Sequence, residues 1–250
     1  MSSMPAESGV APAPARPAGR ESGVAGGATQ MALFRHGGLK PAATLDVHAI
    51  SIPARAFTGD FYVVYRAAGR LWFALGDVAG KGINAAVIMA MIQEELEELT
   101  YDDPSAAMLR LHLFLRPLIP INRFATAVIG YVSDDGALKI ANAGHCTPII
   151  VRAGGEIDHV DSTGPVVGVL SSSQWRTFET TLSRGDALIL YSDGVLEARA
   201  PGGEEFGIGR IESNVGRASA RQMAESLLAA VTNHAGGLRE DDLTLLAIKR

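Results

Sequence analysis

The chain has 250 residues, 47% of them apolar, which is enough for one large domain or two small ones with a substantial core. Its 22 basic and 27 acidic residues give a formal charge of −5, which argues against a surface for nucleic acid or for an anionic membrane. No run of 18 apolar residues predicts a membrane span, and no apolar stretch near the start predicts a secretory signal. The single cysteine, Cys146, excludes an internal disulfide, so we expect a protein of the reducing cytoplasm.

The first 40 residues differ in composition from the rest of the chain. Residues 1–40 are rich in Ala, Pro, Gly and Ser and show no helical or strand period. This composition is typical of a disordered segment, which serves either as a solvated extension or as a tether or docking arm. We therefore predict a disordered tail over residues 1–40 and one globular domain over residues 41–250.

Three strands and two helices are predicted at the start of the globular part. Three apolar runs predict strands, and they span Leu45–Ile52, Phe61–Tyr65 and Leu71–Val78. Apolar residues spaced three to four apart predict a helix over Ile83–Leu99. A second helix is predicted to begin with Asp103 as its N-cap and Pro104 at its first position, and to end or kink at Pro117.

Further strands and a helix fill the second half of the chain. The predicted strands are Ala125–Val132, Leu138–Ala141, Pro148–Arg152, Arg176–Leu182, Ala187–Tyr191 and Leu243–Ile248. A turn at residues 184–186 is predicted to pair the strand Arg176–Leu182 with the strand Ala187–Tyr191. Residues 219–222 resemble a capping box, and the helix that they begin is predicted to end at Gly236. Because most links between strands are short, the pattern favours an α+β fold of antiparallel sheets covered by helices over a parallel sheet.

Four aspartates lie in Gly-rich or turn-like settings beside strand-like runs. They are Asp60, Asp77, Asp193 and Asp241. Carboxylates are costly to gather in one place unless a positive charge neutralises them. Carboxylate and water oxygens select hard cations such as Mg²⁺ or Mn²⁺. The sequence therefore predicts a metal-dependent enzyme, and phosphoryl chemistry is the commonest use of such a site.

The segment Gly76-Asp77-Val78-Ala79-Gly80-Lys81-Gly82 allows three interpretations. A phosphate-binding P-loop needs four residues between its glycines and a Ser or Thr after the Lys, and this segment has three residues and Gly82. A tight strand-to-helix turn with an incidental aspartate is the second interpretation. The third is a metal-binding turn, in which Asp77 and a backbone carbonyl bind the ion and the glycines allow close approach.

Five motifs in order resemble the SpoIIE/RsbU type of bacterial serine phosphatase, within the protein phosphatase 2C (PPM) class. They are Gly59-Asp60-Phe61-Tyr62, the segment 76–82, Asn142-Ala143-Gly144-His145, Tyr191-Ser192-Asp193-Gly194-Val195 and Asp241-Asp242-Leu243-Thr244. The resemblance covers about residues 42–250. It implies an α-β-β-α sandwich of two antiparallel sheets flanked by helices, with two Mn²⁺ or Mg²⁺ ions at one sheet edge. It also implies hydrolysis of phosphoserine on an anti-anti-sigma (STAS-type) regulator, and an activating regulatory protein is a possible second partner.

The resemblance also implies a ligand set. Asp60 and Asp77 would be shared by the two ions and would hold the metal-activated water, with no side-chain nucleophile. Val78 would offer its backbone carbonyl. Asp193 and Asp241 would complete the second ion's ligands, with Asp242 as the alternative to Asp241. Thr58 and Val63 depart from the family pattern, since the family usually has Gly and often an acid at those two positions, but neither change removes a ligand.

Two other functions compete with the metal-dependent phosphatase. His145-Cys146 and Arg152 have the H-C-x5-R spacing of cysteine-dependent phosphatases, but Pro148 lacks an N–H and residues 149–151 prefer a strand. The second alternative is an inactive module of the same fold that only binds a phosphoprotein. His145 is expected to form a structural turn with its imidazole bonded to backbone, and Arg55 is either a surface arginine or a phosphate contact.

Overall fold

The structure is a computed structural model that describes residues 45–80, 82–97, 103–119 and 123–250. The predicted tail over residues 1–40 lies outside these ranges and stays a prediction. Within them the chain forms ten strands: β1 (Asp46–Ile52), β2 (Asp60–Ala67), β3 (Arg70–Val78), β4 (Ala125–Ser133), β5 (Ala137–Ala143), β6 (Ile149–Val151), β7 (Ile157–His159), β8 (Phe178–Thr181), β9 (Ala187–Tyr191) and β10 (Leu243–Lys249). It also forms five helices: α1 (Ile83–Glu97), α2 (Pro104–Leu115), α3 (Asp193–Leu196), α4 (Gly207–Asn214) and α5 (Ala220–His234).

The strands form two five-stranded sheets. One has the order β1-β10-β9-β6-β7 and the other the order β2-β3-β4-β5-β8, and every pairing between these strands is antiparallel. Short turns allow this arrangement; in the turn between β4 and β5, for example, Gly136 has φ +95°. The predicted antiparallel sheets are therefore confirmed.

Three apolar layers hold the sheets and helices together. Successive side chains of a strand point to opposite faces of its sheet. In β3, Phe73 lies in the layer between the two sheets, while Trp72 packs against α1 and α2. In β9, Leu190 lies in the central layer, while Ile189 packs against α4 and α5. This layering confirms the predicted α-β-β-α sandwich.

The helix starts also follow the sequence signals. The Asp103 side chain accepts a hydrogen bond from the Ser105 N–H at 2.8 Å, as an N-cap should. Ser219 and Gln222 form the predicted capping box at the start of α5. No helix in the described ranges is both long and apolar enough to cross a membrane.

One predicted strand pairing is wrong. The segments 176–182 and 187–191 do not pair with each other, because β8 pairs with β5 and β9 pairs with β10 and β6. Between them the chain passes from one sheet to the other. Asp186 stabilises this crossing, since its carboxylate accepts hydrogen bonds from the Ser183 and Ala153 N–H groups and from the Arg152 guanidinium.

Candidate metal centre

Asp60 and Asp77 face each other across two neighbouring strands. Asp60 is the first residue of β2, Asp77 lies near the end of β3, and the two are direct partners in the antiparallel register. The backbone comes close at this point because Gly59 has no side chain. A Cβ on Gly59 would lie 2.6 Å from Oδ1 of Asp77 and 2.8 Å from the Val78 carbonyl oxygen. Gly59 thus keeps the space beside these two oxygens free.

Asp60 is buried and is held by hydrogen bonds with two threonines. It is 2% exposed, its N–H donates to Thr58 Oγ1 at 2.9 Å, and its Oδ2 accepts from Thr244 Oγ1 at 2.6 Å. Burial raises the pKa of Asp60 well above its ordinary value, and the neighbouring charge of Asp77 adds to the shift. The hydrogen bond from Thr244 opposes these effects. Asp60 is therefore held in one position, and only hydrogen bonds from hydroxyl groups offset the cost of burying its negative charge.

Ser192 joins the turn that carries Asp193 to the loop that carries Asp241. The Ser192 N–H donates to the Thr244 carbonyl at 2.9 Å, and Ser192 Oγ donates to the Asp242 carbonyl at 3.1 Å. Ser192 Oγ also accepts from the Thr244 N–H at 3.0 Å. These bonds extend the pairing of β9 with β10 past the end of the sheet. They bring Asp193, the first residue of α3, next to residues 241–242.

Gly194 is required at this contact. A Cβ on Gly194 would overlap the carbonyl oxygen of Asp242. Any larger residue would push the start of α3 away from the loop before β10. The glycine after Asp193 therefore fixes the spacing between two of the candidate ligands.

The remaining carboxylates lie within electrostatic reach of Asp77. Burial, followed by the charges of Asp193, Asp241 and Asp242, raises the pKa of Asp77 from 3.8 to about 7. Asp77 and Asp241 line one cavity together with Gly59, and Asp193 and Asp241 line an adjoining one. The structure thus brings all four sequence-predicted aspartates to one edge of the sandwich, where strand ends of both sheets meet.

Asp242 has a different environment from Asp241. Its Oδ1 accepts a hydrogen bond from the Ala54 N–H at 2.7 Å, so it ties the loop before β10 to the loop between β1 and β2. Asp241 Oδ1 accepts from the Asp242 N–H at 3.1 Å. One carboxylate oxygen of Asp242 is therefore occupied by backbone.

The donor set fits a hard divalent cation. Among the described residues, no three His, Cys, Asp or Glu side chains already surround a common point at metal-binding distances. The side chains that converge are nevertheless all carboxylates. Asp60, which is buried, and Asp77, which is half-buried, have raised pKa values that a nearby positive charge would lower. Oxygen donors of this kind suit Mg²⁺ or Mn²⁺.

The turn after Asp77 is braced by an arginine and does not form a P-loop. The Ala79 N–H donates to the Phe124 carbonyl at 2.8 Å, and Arg123 Nη1 donates to the Ala79 carbonyl at 2.8 Å. Gly80 has φ +123°, and a Cβ there would overlap the Arg123 guanidinium. Lys81 lies outside the described residues. The turn therefore holds the end of β3 firmly beside the start of β4.

His145 supports the site from behind. Its Nδ1 shares a 2.8 Å hydrogen bond with Thr126 Oγ1, and Thr126 is the register partner of Asp77 on β4. Its N–H donates to Asn142 Oδ1 at 2.9 Å, which closes the expected structural turn. Burial lowers the pKa of His145 to about 4, so the ring is neutral at physiological pH. The predicted bond from the imidazole to backbone is wrong: among the described residues the ring bonds the Thr126 side chain, and its buried Nε2 has no hydrogen-bond partner.

The cysteine alternative is contradicted by the structure. Burial raises the pKa of the Cys146 thiol to about 12, with the charges of Asp193 and Glu197 adding to the shift, so no thiolate forms at neutral pH. Residues 149–151 form β6 instead of a phosphate-binding loop. Arg152 Nε donates to Asp158 at 2.8 Å, and its Nη1 donates to Asp186 at 3.0 Å, so the guanidinium is paired elsewhere.

Three supporting residues were not assigned a role from the sequence. Ser192 and Thr244 lie inside recognised motifs, but their contacts join segments that are 50 and 184 residues apart in sequence. Thr126 lies in no recognised motif, and only the strand register reveals its place behind Asp77. Arg55 is exposed and lines the same cavity as Asp77 and Asp241.

Comparisons with known proteins agree with this geometry. The sequence model of the family Stage II sporulation protein E (SpoIIE) matches residues 67–250. Phosphoserine phosphatase RsbU of Bacillus subtilis (strain 168) is 28% identical over 212 residues, which cover 82% of this chain and 63% of RsbU. The chain therefore spans less than two-thirds of this relative.

Two solved structures share the fold. The SiaA-PP2C domain of Pseudomonas aeruginosa has a TM-score of 0.78 at 22% identity and covers 90% of this chain and 94% of that domain. RsbX in complex with magnesium has a TM-score of 0.67 at 18% identity and covers 84% of this chain and 96% of RsbX. Because the family match extends over well more than half of the sequence, this chain belongs to the SpoIIE family and has the PP2C fold.

Proposed function

We propose that the chain is a metal-dependent protein serine/threonine phosphatase, which hydrolyses phosphoserine on an STAS-type anti-anti-sigma regulator. The observation that carries this proposal is the direct pairing of buried Asp60 with half-buried Asp77 beside Asp193 and Asp241. Four carboxylates at one edge need positive charge, and a phosphate monoester is the substrate class that such a charge binds. RsbU, a relative over most of the chain, is named a phosphoserine phosphatase.

The proposed ligands follow from the geometry around Gly59. Asp60 and Asp77 are the shared ligands, and the Val78 carbonyl lies beside Asp77 Oδ1 along the free space at Gly59. Asp193 and Asp241 complete the set for two Mn²⁺ or Mg²⁺ ions. Asp241 is preferred to Asp242, because the first acid of the pair matches the ligand position of the family. In addition, Asp242 Oδ1 is held at 2.7 Å by the Ala54 N–H of another loop, whereas the bond to Asp241 Oδ1 is a longer one, 3.1 Å, from the adjacent residue. The magnesium in the RsbX structure supports a divalent cation in this fold.

Two such ions would supply an activated water and positive charge for the phosphate oxygens. The residues of this chain hold the reacting groups in place. Thr244 fixes one oxygen of Asp60, and the end of β3 is held by Arg123 through Ala79. Arg55, on the rim of the same cavity, is placed to bind the phosphate of the substrate. His145 is not a general acid, because it is buried, neutral and hydrogen-bonded to Thr126.

The partners are inferred from the family. The substrate is a phosphorylated STAS-domain protein, and an activating regulatory protein is a second expected partner. The net charge of −5 gives no support for nucleic acid or membrane as a partner, and the composition suits the cytoplasm. The alternative of an inactive phosphoprotein-binding module is an outcome of the experiment below.

The experiment measures phosphate release from p-nitrophenyl phosphate and from a phosphoserine STAS protein. Each substrate is tested with Mn²⁺, with Mg²⁺ and with EDTA. Asp77→Asn removes a shared ligand, and Asp161→Asn is the matched control, because Asp161 is an exposed aspartate remote in sequence from the four ligand motifs.

We expect activity that requires the cation, disappears in Asp77→Asn and persists in Asp161→Asn. Activity that survives EDTA would refute the metal mechanism. Binding of the phosphoprotein without hydrolysis at saturating cation would establish the inactive module instead.

A further inference from the structure

A second cavity adjoins the candidate metal centre on the side of α5. It shares Asp193 and Asp241 with that centre, and its opposite wall is apolar. The apolar wall is formed by Val231, Ala235 and Leu238, and the cavity volume is about 100 Å³. We call this cavity the Leu238 pocket. An apolar cavity of ~150 Å³ binds benzene, which has six carbons, so a volume of about 100 Å³ has room for an aliphatic side chain of about four carbons, such as that of leucine.

The end of α5 builds the outer wall of this pocket. The Gly237 N–H donates to the Thr232 carbonyl at 3.0 Å, and the Leu238 N–H donates to the Ala235 carbonyl at 3.1 Å. Gly236 and Gly237, at φ +61° and +81°, allow the chain to fold back over the helix end. The fold-back places Leu238 over the cavity, yet leaves it 68% exposed, the most exposed large apolar side chain among the described residues. A leucine in this position gains little from folding and has surface available for a ligand.

The charges around the pocket single out Arg239. The Arg199 guanidinium donates to Glu205 and to the Gly203 carbonyl, so it is already engaged. Among the described residues, Arg239 has no hydrogen bond or ion pair. The lining also contains Glu197 and Glu240. Their two negative charges balance the two arginines once bound cations neutralise the aspartates. The pocket therefore presents one apolar wall among charged side chains, and Arg239 is the cation there that has no partner among the described residues.

We propose that the Leu238 pocket binds an apolar side chain next to the phosphoserine of the substrate, and that Arg239 binds a carboxylate of the same segment. This inference rests on the proposed phosphatase function and names a sequence feature of its substrate. A phosphoserine at the metal centre would place its neighbours beside the pocket, because the two share Asp193 and Asp241 and an extended chain advances ~3.3 Å per residue. The Leu238 pocket then contributes to substrate selection and not to the chemical step.

The test compares phosphopeptides that differ only beside the phosphoserine. One series carries Leu at single positions within two residues of the phosphoserine, and a matched series carries Ser there. Each peptide also carries Glu or Lys at an adjacent position. We measure kcat/KM with Mn²⁺ for each peptide, relative to p-nitrophenyl phosphate, which has no flanking side chains. Binding of fluorescent versions of the peptides is measured in parallel by anisotropy.

The variants are Leu238→Ser and Arg239→Glu. Leu113→Ser and Arg217→Ala are the matched controls: Leu113 is a 56% exposed leucine on α2, and Arg217 is an exposed arginine before α5. We expect wild type to prefer the Leu peptide at one position by about tenfold, and Leu238→Ser to lose that preference. Arg239→Glu should reverse the preference for Glu over Lys. The controls should keep both preferences.

Equal rates for Leu and Ser peptides at every position would overturn the inference, and so would a preference that survives in Leu238→Ser. If no substrate, including p-nitrophenyl phosphate, is hydrolysed, the phosphatase function fails. Anisotropy then decides the pocket separately: binding that depends on the Leu side chain and on Leu238 supports it, and binding that ignores both refutes it.

Discussion

Asp77→Asn is expected to stabilise the metal-free protein at alkaline pH, although it removes a proposed metal ligand. Burial, followed by the charges of Asp193 and Asp241, raises the pKa of Asp77 to about 7 in the folded chain, from 3.8. One pKa unit corresponds to ~1.4 kcal/mol, so the ionised carboxylate lowers the free energy of unfolding by at most about 4 kcal/mol. An asparagine carries no charge to bury. We expect a gain of about 2 kcal/mol, because its amide also loses contact with water.

The pH dependence follows from the direction of the shift. The folded state holds the Asp77 proton more tightly than the unfolded state does, so this contribution to stability is fully present below pH 4. It is lost as the pH rises from about 4 to 7. Wild type in EDTA should therefore lose stability across this window by an amount that Asp77→Asn does not share. At pH 5 the two proteins should differ much less than at pH 8.

The measurement is urea unfolding followed by circular dichroism at pH 5 and pH 8, with EDTA or Mn²⁺. A cation at 100 times its dissociation constant stabilises the folded state by about 2.7 kcal/mol. Wild type should gain this amount at pH 8, and Asp77→Asn should gain little. Asp161→Asn should behave as wild type in all conditions. If Asp77→Asn is less stable than wild type in EDTA at pH 8, the argument that the ionised Asp77 is destabilised is wrong.

Three further substitutions test the supports of the site. Thr244→Val removes the 2.6 Å hydrogen bond to Asp60, and we expect a loss of about 1–3 kcal/mol in urea unfolding; an unchanged midpoint would show that the bond contributes nothing. Gly194→Ala places a methyl group against the Asp242 carbonyl oxygen, and we expect the Mn²⁺ concentration for half-maximal activity to rise about 10-fold or more. An unchanged Mn²⁺ titration would show that the turn adapts. Cys146→Ser should keep phosphatase activity within about twofold, since a thiol with a pKa of about 12 is no nucleophile at pH 8. A complete loss, with the fold intact, would restore the cysteine mechanism.

The parts of the fold that sequence predicted are those with a strong local signal. The strand ending at Val78 and the helix beginning at Pro104 have regular apolar spacing or a clear N-cap. Strand β7 was missed because Ile157–His159 has three residues, two of them exposed, and shows no alternation. The pairing of 176–182 with 187–191 was predicted from a short turn, but the chain changes sheets there. Turn length alone does not reveal whether a chain reverses within a sheet or crosses to another one.

The candidate ligand aspartates could be recognised from sequence, but the residues that support them could not. Asp60 and Asp77 each follow a glycine in a short motif that is visible in the sequence, and the structure shows that a Cβ on Gly59 would meet the Asp77 carboxylate and one on Gly76 the Thr126 carbonyl oxygen. The hydroxyl group that donates a hydrogen bond to Asp60 belongs to Thr244, which lies 184 residues away in sequence, and no local pattern predicts that contact. The same holds for Thr126, whose hydroxyl matters only because β4 pairs with β3 in one particular register.

The two halves of the site come from different sheets, and this has a consequence for how the site is held. Asp60 and Asp77 belong to the sheet of β2 and β3, whereas Asp193 and Asp241 lie at the ends of β9 and β10 in the other sheet. The Thr244–Asp60 hydrogen bond spans the two sheets directly. Behind it, the apolar layer between the sheets fixes their separation. Because metal ligands must be placed to within a few tenths of an ångström, the packing of this central layer sets the cation affinity as well as the stability.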